Sequence, residues 1–417
     1  MAVNFFLKDG LHVDPSTLQL LQNSANLPMV GKPLYGVVSD AVYISGQHRI
    51  PYIAIGVRAD KQRTAFLQAV SWLAIAILSP SGISIVTLSL CLLLSNLGAS
   101  IAEVANDAIV AEIGKQPTSP PKNSQSYSSG ELQSFVWIAS SAGGVLGNLL
   151  GGIAINIYGP QAMFLFFSLA VAVQLFIIIT VRESSLNLPK SSSRVGIRKQ
   201  LSQLSVALQK PEIAYSITWL AASNAIIPSL TGTMFFYQTQ YLNINSSVLG
   251  ISKVFGQAAM LLWSVIYNRF LKSVPSKKLI AAIQGVMAAF MLSDVLFVKG
   301  VYRSMGVPDL LYVIVFSGLL EVLFFFKILP FNILIAQLCP WGCEGSLMAL
   351  VASATALSFI VSGYLGVALS SFVGVTGSDF SGFPCALLIQ AVCTLLPIYW
   401  SSCIPDDKKP ESRSKNE

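Results

Sequence analysis

The residues best placed to do chemistry here are acids and lysines stranded inside long apolar runs. Glu103 and Asp107 lie four apart within the apolar stretch 83–110, with Asn106 beside them, so on a helix both carboxylates share one face. Two neighbouring acids in a low-dielectric site repel, and a carboxylate that gains and loses a proton is what a proton-coupled carrier needs. The competing reading leaves both acids solvated at a helix end, near Glu112. Glu321 and Lys327 stand six apart in the stretch 309–336, hence on different faces. Lys327 lies amid Phe324, Phe325, Phe326 and Leu329, deeper than an interfacial anchor. It can pair with an acid on another helix or meet an anionic substrate. Lys32, between Gly31 and Pro33, is a further cation near the membrane interior, unless its stem carries the charge out to the headgroups. Asp294 falls towards the end of its stretch and is set aside. Ionisable groups inside spans are costly and normally face a cavity or a partner, which makes each a functional candidate.

The elements that must carry these residues are transmembrane helices. Eleven apolar stretches recur, at about 17–37, 51–79, 83–110, 133–157, 161–181, 213–237, 248–270, 278–299, 309–336, 346–373 and 383–403, each near the roughly 20 residues a helix needs to cross a bilayer. The linkers between them alternate in charge, with 300–308, which holds Arg303, and 337–345, which holds only Glu344, as the weak members. Those at 38–50, 111–132, 182–212 and 269–278 hold Lys and Arg, whereas 80–82, 158–160 and 238–247 hold none. That alternation keeps basic loops on one, cytoplasmic, side. The tail from Asp406 is basic too, which places the C-terminus in the cytoplasm and the start of the chain on the other face. The sequon at Asn245 falls in a non-cytoplasmic linker, in agreement.

The long basic linker divides the chain. Residues 1–181 form a bundle of five spans, 182–212 a cytoplasmic linker, 213–404 a bundle of six, and 405–417 a disordered cytoplasmic tail. An echo supports two related halves. The fourth span carries Gly143, Gly147 and Gly151, and the tenth carries Ala354, Ser358, Ser362, Gly366 and Ser370, each at every fourth position. Small residues so spaced let helix backbones approach closely in lipid, and matched helices in two halves are the mark of a repeat-built transporter. Pro228 and Pro330 would free backbone carbonyls in mid-span, which is tolerated where a cavity is lined. Phe235, Phe236, Tyr237 and Tyr241 read as an interfacial belt or as a surface on which a flat ligand stacks.

Composition excludes other classes. Hydrophobic residues make up 53% and charged residues 11%, against about 25% charged in soluble domains, and the mean hydropathy is +0.66. The net charge of +7 sits in short loops, so it signals topology and not nucleic acid. The six cysteines mostly lie in apolar runs, and the two histidines, His12 and His48, are far from Cys339 and Cys343. No metal set, cofactor motif or nucleophile constellation is present, so no enzyme is expected. No secretory signal is visible at the N-terminus.

At Lys32-Pro33-Leu34-Tyr35-Gly36-Val37-Val38-Ser39-Asp40 and Gly46-Gln47-His48-Arg49-Ile50-Pro51-Tyr52 the sequence resembles the folate–biopterin transporter family, a branch of the major facilitator superfamily. Asn106–Glu112, Tyr267–Lys272 and Leu338–Gly345 resemble it as well, in order along nearly the whole chain. The resemblance implies an all-α polytopic membrane protein with two pseudo-symmetric bundles about a central cavity. It also implies uptake of folates or pterins, with protons. Gly36, Asp40, Gly46 and Arg49 would match a cytoplasmic signature that locks the bundles in one state, and Glu344 is a further gating candidate. Three features depart from the family. The helix that should precede residue 10 is nearly absent, charges at 58–65 interrupt the second span, and Ala354-Thr355-Ala356 stands where the family tends to place an Asn.

The combined reading is an integral multi-pass carrier for folate or pterin compounds working by alternating access. Its partners are the small-molecule substrate, protons and the lipid bilayer. Asp107, Glu103, Lys32, Glu321 and Lys327 are the substrate-binding or proton-coupling candidates, and Gly143, Gly147, Gly151, Ser362 and Gly366 the packing residues. A carrier of the same build for another organic solute, or a membrane protein that does not transport, stays open, because fold does not fix substrate. The membrane itself, whether plastid envelope, plasma membrane or vacuole, is not legible.

Overall fold

Apolar stretches in lipid must satisfy every backbone group internally, and helices are the solution the chain adopts. The structure, a computed structural model, describes residues 1–41, 65–78, 82–114, 129–180, 202, 205–206, 208–271, 274–338 and 344–401. Among these there is helix and connecting turn, and no strand.

α1, Ala2–Phe5, widens into a π turn at Phe6–Gly10. α2 spans Pro15–Ala25, two residues earlier than the hydrophobic pattern suggests, because Asp14 caps it by accepting the Thr17 amide at 3.1 Å and Pro15 starts the first turn. A 3₁₀ turn at Leu27–Gly31 leads into α3, Lys32–Ala41, so the first expected span is one broken crossing. α4 is Ala65–Leu78 and α5 is Ile85–Gly114.

α6, Ser129–Thr180, contains two spans. Gly159 has φ 79°, and a Cβ at Gly151 would lie 3.9 Å from Met163 Cε. Twelve residues of straight helix would separate those positions by about 18 Å, so the chain doubles back at Gly159-Pro160. The fourth and fifth expected spans are the two arms of this hairpin.

After the basic linker come α7, Pro211–Ala225, and α8, Thr231–Phe236, which widens at Tyr237–Tyr241. α9 is Ser246–Ile266 with a π turn at Tyr267–Leu271, and α10 is Ser276–Val298. α11 runs as Asp309–Tyr312, a π turn Val313–Ser317, and Gly318–Leu338. α12 is Glu344–Phe372 and α13 is Phe383–Tyr399. Six helical stretches among the described residues are long and apolar enough to cross a bilayer, the hairpin counting once. The remaining expected spans are shorter, are broken, or lie partly outside the described residues.

The exterior is lipid-like. Phe176, Leu150, Leu262 and Val86 are more than half exposed, while Ser100, Ser141, Ser216, Ser223, Ser358 and Ser362 are buried. Water would reverse that arrangement; a bilayer favours it. This is a multi-pass membrane protein. α10 packs on α11 and α13 within the second half, and α4 on α5 and α6 within the first. Across the seam, α6 meets α9 and α2 meets α8 and α12.

Candidate functional site

One group of polar contacts lies where α2, α8 and α12 meet. Pro228 cannot donate into a helix, and α7 ends at Ala225. The backbone groups freed at 226–230 are taken up by neighbours. Ser362 Oγ donates to the Ile227 carbonyl, and the Ser229 amide donates to the Ser362 carbonyl at 2.9 Å. Gln19, 3% exposed, then ties three helices together. Its Nε2 donates to the Ser229 carbonyl at 2.6 Å and to the Gly363 carbonyl at 2.8 Å, and its Oε1 accepts the Gly232 amide at 2.9 Å. A Cβ at Gly366 would collide with the Ser229 carbonyl. Ser362 and Gly366 therefore stand at a true close approach. Pro330, by contrast, stays inside continuous α11.

The glycine stripe of α6 meets α9 one residue on from Gly143, Gly147 and Gly151. A Cβ at Gly152 would lie 3.0 Å from Gly250 Cα and from the Ser246 carbonyl, and one at Gly144 would lie 3.3 Å from Gln257 Cδ. Among the described residues nothing comes within 4 Å of a Cβ at Gly143 or Gly147. Both series, Gly143-Gly147-Gly151 and Gly144-Asn148-Gly152, have small or polar residues every fourth position; spacing gives the period and not the face.

Two ion pairs flank the seam. Lys32 Nζ on α3 lies 2.7 Å from Glu103 Oε1 on α5, the lysine nearly buried and the glutamate half exposed. Lys253 Nζ on α9 lies 2.5 Å from Glu321 Oε1 on α11, both partly exposed. The second pair exists because α9 and α11 cross on glycines. A Cβ at Gly256 would lie 2.7 Å from the Gly318 carbonyl, and one at Gly318 would lie 2.5 Å from the Ser252 carbonyl. Glu321 is one turn past that crossing and Lys253 one turn before it. The Lys253–Glu321 pair, exposed on both sides, is the easier of the two to open; the Lys32 ammonium is nearly buried.

Asp107 lies one turn beyond Glu103 on α5 and is exposed, with no ion-pair partner among the described residues. Lys327 is fully buried and meets no acid among the described residues. Its three N–H groups go to Asn224 Oδ1 at 2.6 Å, Gln284 Oε1 at 3.2 Å and Ser223 Oγ at 3.4 Å, with the Phe324 ring at 5.1 Å and the Trp219 ring at 5.8 Å. Gln284 is held in turn by the Thr394 carbonyl at 2.8 Å. The ammonium's donors are all occupied, which is how a buried charge without a counter-ion is retained.

Asp294, set aside in the sequence, is 4% exposed and accepts from Tyr312 Oη at 3.0 Å; Ser293 Oγ lies 2.9 Å from both Tyr302 Oη and Tyr312 Oη. A Cβ at Gly36 would lie 3.6 Å from Val104 Cγ1 of α5. Asp40 and Glu344 are helical, but their side chains fall outside the described set; Gly46, Arg49 and the charged segment 58–64 lie outside the described residues altogether. Lys253 and Gln19 are the residues that sequence reasoning missed.

The BT1 family profile matches residues 1–417. The chain belongs to the BT1 family. It is similar to the probable folate-biopterin transporter 7 of Arabidopsis thaliana, 61% identical over all of this chain and 91% of that one. It is also similar to the probable folate-biopterin transporter 8, chloroplastic, of the same plant, 43% identical over 97% of this chain and 72% of that one. Among solved structures, a D-xylose-proton symporter superposes with a TM-score of 0.67 at 14% identity, covering 97% of this chain and 92% of the other. That likeness shows the fold alone. A BT1-family chain with such relatives is a membrane transporter and not an enzyme.

Proposed function

We propose that the protein carries folates or pterins across a membrane by alternating access between its two halves, coupled to protons through Asp107. The observation that carries the coupling is Asp107 itself, an exposed carboxylate at the end of an apolar span, one turn from the Lys32–Glu103 pair. A charged group in that setting requires a function or a partner. Family membership and relatives named as probable folate-biopterin transporters support the substrate class. The two lysine–glutamate pairs suit a substrate joining a flat ring to a carboxylated tail. Proton uptake and release at Asp107 would bias the two-state equilibrium by changing the charge beside Glu103. Uptake of labelled folate by vesicles is the test: Asp107→Asn should abolish accumulation driven by an acid outside medium while leaving downhill exchange. Unchanged proton-driven uptake removes Asp107 from the mechanism.

A further inference from the structure

We propose that Lys253 is the residue that receives the carboxylate tail of the substrate, with Glu321 holding its place until the substrate arrives; this rests on the carrier reading above. Leu249, Lys253 and Gln257 follow each other at four-residue intervals on α9 and so share one face. Leu249 is buried in a cluster with Phe5 and Ile155 of the first half, and Gln257 lies over Gly144. The face that carries Lys253 therefore looks across the seam and not into lipid. Lys253 is partly exposed there, in a position a ligand between the halves would reach.

The same device appears in the first half. Lys32 is on a helix followed by α4 and then by α5, which bears Glu103, with the two arms of α6 completing that half. Lys253 is on a helix followed by α10 and then by α11, which bears Glu321, with α12 and α13 completing the second half. Among the described residues the order is the same, lysine helix, one intervening helix, glutamate helix, then two more. The depths differ: Lys32 follows Pro15 by seventeen residues and Lys253 follows Ser246 by seven.

An exposed ion pair holds its partners weakly in water, and a second carboxylate can take the place of the first on the same ammonium with its charge-assisted hydrogen bonds kept. Binding is then an exchange of anions: the substrate carboxylate leaves water for Lys253, and the Glu321 carboxylate leaves Lys253 for water. Lys327 is not available for this role, because neutral oxygens already fill its three donors.

The experiment compares folate, which has a carboxylated tail, with biopterin, which has none, binding to purified full-length protein. Lys253→Gln should weaken folate binding at least tenfold and change biopterin binding less than twofold. Lys253→Arg should keep folate within threefold of the parent, and Glu321→Gln should tighten it severalfold by removing the competitor. Equal losses for both ligands, or no loss for folate, overturn the assignment of Lys253. If Lys253→Gln does not fold, Glu321→Gln decides: tighter folate binding supports the exchange, and weaker or unchanged binding overturns it. A parent protein that binds biopterin but not folate also overturns the assignment of Lys253, and one that binds neither ligand overturns the carrier reading itself.

Discussion

Replacing Gln19 with Ala gives the sharpest view of how the two halves are held together. The side chain makes three hydrogen bonds to backbone groups, two buried at Gly363 and Gly232 and one part-buried at Ser229, on two segments beyond the basic linker. Each is worth about 1 kcal/mol net, so their loss weakens this end of the seam by about 3 kcal/mol. At 1.4 kcal/mol per factor of ten, that is a shift of roughly 150-fold in any equilibrium between closed and open forms. Alternating access must part α2 from α8 and α12 here, so all three bonds break when this end opens. Spin labels at Ser16 and Ser378, on either side of the contact between Pro15 and Gly377, report the separation. The parent should give a predominantly short distance, and Gln19→Ala a second, longer population that dominates. An unchanged distance distribution, with the variant correctly folded, would refute the view that Gln19 clasps the halves.

Other outcomes follow from the packing. Gly152→Ala should cost about 1–3 kcal/mol by overpacking against Gly250 and the Ser246 carbonyl, whereas Gly143→Ala should stay within about 0.5 kcal/mol; melting temperatures in detergent distinguish them. Gly318→Ala pushes a methyl into the Ser252 carbonyl and should separate Lys253 from Glu321, lowering thermal stability by a similar amount and mimicking Glu321→Gln in folate binding. Lys327→Glu sets a carboxylate against the acceptor oxygens of Asn224, Gln284 and Ser223 and should prevent accumulation of folded protein, read by size-exclusion chromatography.

Much of this was legible in the sequence because lipid imposes simple rules. The apolar stretches mark crossings, and Gly159-Pro160, between two uncharged runs, marks the hairpin. The depth of Lys327 was readable from the phenylalanines around it. Its partners were not, because Asn224, Gln284 and Ser223 are neutral residues on two other helices, and neutral polar groups leave no charge pattern to match. Lys253 escaped notice because a lone lysine seven residues into a span reads as an anchor; the signal was the unpaired Glu321 together with Gly256 and Gly318, which bring α9 and α11 together. Gln19 gave no local signal at all. Its role arises only where the break after Ala225, the small residues of α12 and the first turns of α2 meet. Pro228 and Pro330 show the same limit: one breaks its helix where side chains from α12 and α2 take up the freed groups, and the other is carried inside α11.

Reconstitution of the full chain into sealed liposomes, followed by uptake of labelled folate and labelled biopterin, tests the central claim most directly. The account predicts saturable uptake of both, each competed by the other and by no sugar or nucleoside, and none into protein-free liposomes. Saturable uptake competed only by solutes lacking a pterin ring, or no protein-dependent uptake of either compound, would contradict it.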